Sequence, residues 1–182
     1  MQKFNKELVA DSTFYIFFIE DSKNSNLLCK ILNSFKAHIS PTIYDELKMK
    51  SRDQELNSII NNKCNIFKDS RIKYSEALRP VFSKEELKKG EHEIIAIAVL
   101  CDQMVIDFVL VIDDEGPRKI INSHFKYLLT RLVRTARFIE QCYSKYDIFE
   151  NGESIKLLND MKSSKFRIDD KSIEQLLKEL EK

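Results

Sequence analysis

The sequence predicts an α/β fold: helices layered on both faces of a mostly parallel central sheet. Three observations carry this expectation. Short apolar runs alternate with helix-length segments along the chain. One of these runs, Phe108 to Ile112, is unbroken in its apolarity, as a strand buried on both faces requires. Acidic residues follow or adjoin the strand-like runs, where a strand gives way to a helix.

The elements follow in order. Glu7 to Ala10 reads as the first strand. Phe14 to Glu20 is rich in aromatic and β-branched residues and suits a strand, but Asp11, Ser12 and Thr13 are good helix caps, so a buried helix is expected. Asn24-Ser25 caps a helix from Asn26 to Phe35, with Leu27, Leu28, Ile31, Leu32 and Phe35 on one face. Ala37 to Ser40 is a second short strand. Pro41 then sits at a helix start, where its missing N–H costs nothing, and that helix runs from Thr42 to about Lys50.

Between 51 and 83 the pattern is weak. Gln54 to Ile60 reads as helix, Cys64 to Phe67 as a short strand, and Ser83 as the cap of a turn of helix from Lys84 to Lys88. A long helix is expected from Glu91 to about Cys101, a strand from Phe108 to Ile112, and a helix from Gly116-Pro117 through Phe125. Tyr127 to Tyr143 has Leu128, Leu132, Thr135, Ile139 and Cys142 at helical spacing, which predicts one amphipathic helix. Asn151-Gly152 reads as a turn, and Ser154 to Met161 and Ser172 to Leu180 as two closing helices. The division expected is an α/β domain over 1–150 and a helical extension over 151–182, packed on the same domain.

Composition narrows the class. The 182 residues are 43% hydrophobic and 32% charged, enough for a real core and unlike a disordered chain. Three glycines and three prolines favour long helices and short turns. No apolar run reaches membrane-spanning length and no signal-peptide pattern opens the chain, so no membrane association and a cytoplasmic location are expected. The net charge of +1 exerts no global pull on nucleic acid. Cys29, Cys64, Cys101 and Cys142 are widely spaced, and His38, His92 and His124 share no metal-binding spacing. Reduced core cysteines are therefore expected, not a disulfide framework or a zinc site.

The acids carry the functional signal. Asp11 follows the first strand, Glu46 lies on the helix after the second, Glu91 and Glu93 open the long helix, and Asp113-Asp114 end the buried strand. Carboxyl ends of parallel strands gather at one sheet edge, so acids distant in sequence converge there. Converged carboxylates repel one another unless a cation neutralises them, and oxygen ligands suit Mg²⁺ or Mn²⁺.

Four segments together resemble the PIN domain family. Val9-Ala10-Asp11-Ser12-Thr13 is similar to its opening signature, and Ile39 to Leu47, with Pro41 and Glu46, to its second. Gly90-Glu91-His92-Glu93-Ile94-Ile95-Ala96-Ile97-Ala98 resembles a GE-x-E form of the third, and Val111 to Lys119 the fourth. The tail from Leu157 to Leu177 resembles the helical end of one subgroup. The resemblance implies a PIN-like three-layer α/β/α domain and a metal-dependent endoribonuclease, as in the VapC-type toxins of toxin–antitoxin pairs. It implies Asp11, Glu46, Glu91 and Asp113 as catalytic and metal-holding acids, Glu93 and Asp114 as adjacent candidates, and Ser12 as a support for Asp11. RNA as substrate, an antitoxin protein and a homodimer are the implied partners. The family also holds members that bind RNA or protein without cutting, which is the alternative expectation. Residues 51–83 have no clear counterpart in compact members, and 127–149 look longer and more basic than the short strand and turn expected there.

From Gly116 to Ile139 there is no acid, while Arg118, Lys119, Lys126, Arg131, Arg134 and Arg137 are present. Arg131, Arg134 and Arg137 recur every third residue, so on one helix they would share a side. Such a run is either a solvated face or a track for RNA phosphates. A haloacid-dehalogenase-type phosphatase would need a second Asp where Thr13 stands. The aliphatic faces of Asn26 to Phe35 and Ile43 to Met49 read as more apolar surface than one sheet face needs, which adds to the expectation of an assembly.

Overall fold

The computed structural model describes residues 6–50, 54–66, 78, 81–82, 90–164 and 170–181, without the side chains of 49, 50, 54–57 and 91. Five parallel strands form one sheet in the order β3-β2-β1-β4-β5: β1 is Glu7–Ala10, β2 Lys36–Ile39, β3 Cys64–Ile66, β4 Phe108–Val111 and β5 Leu132–Val133. Helices flank this sheet as a three-layer α/β/α arrangement. The helix expected over Lys84 to Lys88 lies outside the described residues.

Parallel strands need crossover connections, and helices supply them. After β1 come α1 (Ser12–Ile16) and a π-helical turn (Phe17–Asp21), then α2 (Ser25–Ser34). Between β2 and β3 lie α3 (Pro41–Lys50) and α4 (Gln54–Lys63), and α5 (Gly90–Gln103) leads to β4. Ser40 caps α3 by accepting the Ile43 amide at 3.1 Å, with Pro41 as the first helical residue. Beyond β4 come α6 (Glu115–His124), a 3-10 turn (Lys126–Thr130), and α7 (Thr135–Ser144) after β5. The chain closes with α8 (Asn151–Ser163) and α9 (Asp170–Leu180).

The core is dense in aromatics. Phe14, Phe18, Phe35, Phe138 and Tyr146 meet mostly edge to face or tilted, with Phe14 and Phe138 centroids 5.8 Å apart and Phe35 and Tyr146 5.1 Å apart. These contacts tie α1, its π-helical turn and α7 together. Residues 92 to 99 of α5 are all buried, which explains an apolar run with no clean polar face. Helix α9 buries Ile173, Leu176 and Leu180 and contacts α7 and α8, so the tail docks on the domain that precedes it. The aliphatic face of α2 (Leu27, Leu28, Ile31, Leu32) and Ile43 and Leu47 of α3 are consumed inside the fold, which corrects the expectation of surplus apolar surface there.

Two further expectations are corrected. The segment from Tyr127 to Tyr143 is not one helix. Its middle extends as β5, because the free edge of β4 offers ladder partners: Leu110 N–H donates to the Arg131 carbonyl at 2.9 Å and Ile112 N–H to the Val133 carbonyl at 3.1 Å. Asn151-Gly152 is not a turn but the first turn of α8. A capping box between Glu150 and Glu153 starts the helix there.

Helix α5 ends in a Schellman motif. Ile106 N–H donates to the Cys101 carbonyl at 2.9 Å and Val105 N–H to that of Asp102 at 3.0 Å. The left-handed position is held by Val105, at φ 57 and 90% exposed. A β-branched residue is a poor occupant of that conformation, and burial gives nothing back. Val105→Gly should stabilise the protein by about 1 kcal/mol. The check is a higher urea midpoint at unchanged m-value; an unchanged or lower midpoint would show that Val105 is not strained.

Candidate active site at the carboxyl edge of the sheet

Strand order reverses at β1: β2 and β3 extend one way, β4 and β5 the other. The loops leaving β1 and β4 therefore diverge, and the crevice between them is where open α/β sheets hold ligands. Asp11 leaves β1 and Asp113 leaves β4 at this point, in matching register, since Ala10 pairs with Val111.

Asp11 is 6% exposed and held on both oxygens. Oδ1 accepts the Phe14 amide at 3.0 Å, capping α1, and Oδ2 accepts the Asp113 amide at 3.0 Å. Asp113 is held in turn by Thr135, whose amide donates to Oδ1 at 3.0 Å and whose hydroxyl donates to Oδ2. Arg134 donates to the Asp113 carbonyl at 3.1 Å and pairs with Glu115. Arg118 donates to the Ile112 carbonyl at 2.9 Å. Two guanidiniums thus back the Asp113 loop.

Burial raises both carboxyls. Asp11 is pushed from 3.8 to about 7, by burial first and by the charge of Asp113 next. Asp113 is also raised by burial, but its bonds to Thr135 and the nearby Arg134 and Arg118 oppose the rise. Asp11 is therefore an acid that burial and its neighbour's charge keep protonated well above the ordinary carboxylate range.

The remaining expected residues take other places. Glu93 is buried, and its Oε2 accepts the Thr42 amide at 3.1 Å, tying α5 to the start of α3. Glu46 is half-buried on α3; its Oε1 lies 3.4 Å from where a Cβ on Gly90 would stand, so the glycine permits the close approach of α3 and α5. Asp114 is exposed and Ser12 half-buried. The side chain of Glu91 lies outside the described residues. Among the described residues, no three of these acids bring ligand oxygens within 4.8 Å of one another. What joins the two strand-end acids is the Asp113 amide, which donates to Asp11 Oδ2, and the charge that Asp113 exerts on Asp11; Glu46 and Glu93 lie at the α3–α5 junction.

The arginines do not form one track. Arg131 turns to the opposite edge of the sheet, 3.4 Å from Asp107 and 3.6 Å from Asp102, over the Phe108 ring. Arg134 faces the acidic pair, and Arg137 binds Glu140 and, at 2.6 Å, Glu179 of α9. The strand at 132–133 separates what a continuous helix would have aligned. Lys119 is exposed on α6. Thr135 was not anticipated as a partner of Asp113. Its signal was local: a threonine at the start of a helix, directly after an extended pair.

The raised carboxyl sets a pH dependence. Between 3.8 and about 7 the folded, metal-free protein keeps a proton on Asp11 that the unfolded chain has lost. Its stability therefore falls as pH rises through that window, by roughly 4 kcal/mol in full. In Asp11→Asn this slope should flatten. Thermal melts from pH 4 to 8 check it, and parallel curves for the two proteins would place the titration elsewhere. Comparison with protein-family models, with curated proteins and with solved structures returned no match, so the chemistry of this edge is argued from its own residues.

Proposed function

We propose that this chain is a divalent-metal-dependent ribonuclease that hydrolyses RNA phosphodiester bonds at the Asp11–Asp113 edge. The observation that carries the reading is two buried acids at the β1/β4 switch point, linked by the bond from the Asp113 amide to Asp11 Oδ2. Burial raises both acids, and the charge of Asp113 raises Asp11 further, so a cation would relieve them. The donor set fits Mg²⁺ or Mn²⁺, being all hard oxygen. Each oxygen of the pair already accepts one protein hydrogen bond, which fixes its direction and leaves a further lone pair. Asp11 and Asp113 would hold the ion, with Glu46, Glu91, Glu93 and Asp114 as candidates for its outer waters or for a second ion. Such an ion supplies an activated water and charge relief on the phosphoryl oxygens. The chain's own part is orientation. The Phe14 and Asp113 amides hold Asp11, Thr135 holds Asp113, and Arg118 and Arg134 keep positive charge behind the loop.

A second reading, a module that binds RNA or protein without cutting, draws support from the arginines. Arg131, Arg134 and Arg137 are each engaged with acids of this chain, so these three do not form a phosphate track beside the two acids. Under either reading an antitoxin-type protein or a second copy of the chain is the partner to seek, by co-purification and sedimentation.

RNA cleavage should require Mn²⁺ or Mg²⁺, stop with EDTA, and fall to background in Asp11→Asn and Asp113→Asn. Mn²⁺ should raise the melting temperature of the wild type more at pH 8 than at pH 5, because the ion competes with the proton on Asp11. Cleavage that survives both EDTA and the substitutions would rule out this site. Metal-induced stabilisation without cleavage of any RNA would favour the binding module.

A further inference from the structure

At the amino edge of the sheet, away from the acidic pair, three side chains of three different ligand chemistries converge. Glu7 opens β1, His38 lies on β2 and Cys101 on α5, and a carboxylate oxygen, a ring nitrogen and the thiol sulfur lie within 4.8 Å of one another. The register explains two of them. Glu7 pairs with Lys36 and Val9 with His38, so Glu7 and His38 rise from the same sheet face, one strand apart. Helix α5 packs against β1 and brings Cys101 over them. His38 and Cys101 are each 2% exposed.

We infer that Glu7, His38 and Cys101 form a zinc-binding site separate from the acidic edge. Mixed carboxylate, imidazole and thiolate ligation is characteristic of zinc and unsuited to Mg²⁺. Three protein ligands leave a fourth position for water or another small donor. The charges also close. A divalent ion with one carboxylate and one thiolate sums to zero, and the Lys36 ammonium on the other Glu7 oxygen stands in solvent. On binding, the Cys101 S–H bond gives way to S–Zn and the proton leaves to solvent. No oxidation is involved.

The surroundings already hold two ligands in place. Lys36 donates to Glu7 Oε1 at 2.9 Å, leaving Oε2 turned to His38. Asn65 Nδ2 lies 3.2 Å from His38 Nδ1. Turning that carboxamide over would let its oxygen accept Nδ1–H, and the Nε2 lone pair would then be available to the ion. The competing account is a simple His38–Glu7 hydrogen bond with a bystander thiol.

Cobalt titration of the full chain tests this directly. Wild-type protein with Co²⁺ should show ligand-field bands and a thiolate-to-cobalt charge-transfer band, both discharged by one equivalent of Zn²⁺. Cys101→Ser should lose the charge-transfer band and bind zinc at least about a hundredfold more weakly. His38→Gln should weaken zinc binding as well. Cys64→Ser and Asp11→Asn should leave the thiolate-to-cobalt charge-transfer band, and its discharge by one equivalent of Zn²⁺, unchanged. The wild-type spectrum needs no variant to fold, and its lack of a charge-transfer band would overturn the inference. So would a band lost in Cys64→Ser instead of Cys101→Ser, or zinc binding abolished by Asp11→Asn, which would locate the ion at the acidic edge.

Discussion

The Asp11 carboxylate takes the Phe14 amide with one oxygen and the Asp113 amide with the other, and much of the architecture hangs on that division. The first bond starts α1, the second fixes the loop leaving β4 against the loop leaving β1. Strands β1 and β4 are neighbours in the sheet but stand far apart in sequence. A charged group below a tenth exposed is costly unless its lone pairs are filled, so the fold must supply both donors or lose the site.

The same logic runs outward from Asp113. Its carboxylate takes the Thr135 amide and hydroxyl, which starts α7, as Asp11 starts α1. Each of two strand ends thus feeds an acid into the first turn of a helix, where amide N–H groups lack intrahelical partners. Arg118 and Arg134 reach the backbone carbonyls of the same loop. The Thr135 bonds first, and then these two guanidiniums, oppose the rise that burial imposes on Asp113.

What the sequence made legible divides along physical lines. Apolar runs placed β1, β2 and β4 and most helices, because burial on both faces leaves its mark in consecutive residues; β3, only partly buried, left a fainter one. Asp11 and Asp113 were legible because a strand end is a local feature, and parallel strands align such ends by construction. Strand β5 was not. Leu132 and Val133 fit a helical period equally well, and what decides for extension is the open edge of β4, a partner that no local window contains. The arginine spacing misled for the same reason: a period means alignment only if the helix is continuous. Glu7, His38 and Cys101 were invisible as a group. They are brought together by sheet register and by the seating of α5, and neither leaves a spacing in the chain.

Strand β1 carries both ends of this chemistry. Glu7 begins it and Asp11 follows it, with Leu8, Val9 and Ala10 between them fully buried. Four steps along the strand separate the two groups by roughly 13 Å, beyond the reach of a shared ion. Their ligand chemistry separates them as well. The acidic edge offers hard oxygens, each oriented by an N–H or O–H donor; the amino edge offers a nitrogen and a sulfur beside a single carboxylate. Thiolate and imidazole favour the softer, later transition ions, and carboxylate alone favours Mg²⁺ or Mn²⁺. Under the two proposals, donor type alone would let the two edges of one sheet take different metals, with the buried middle of β1 as the spacer between the two sets of residues.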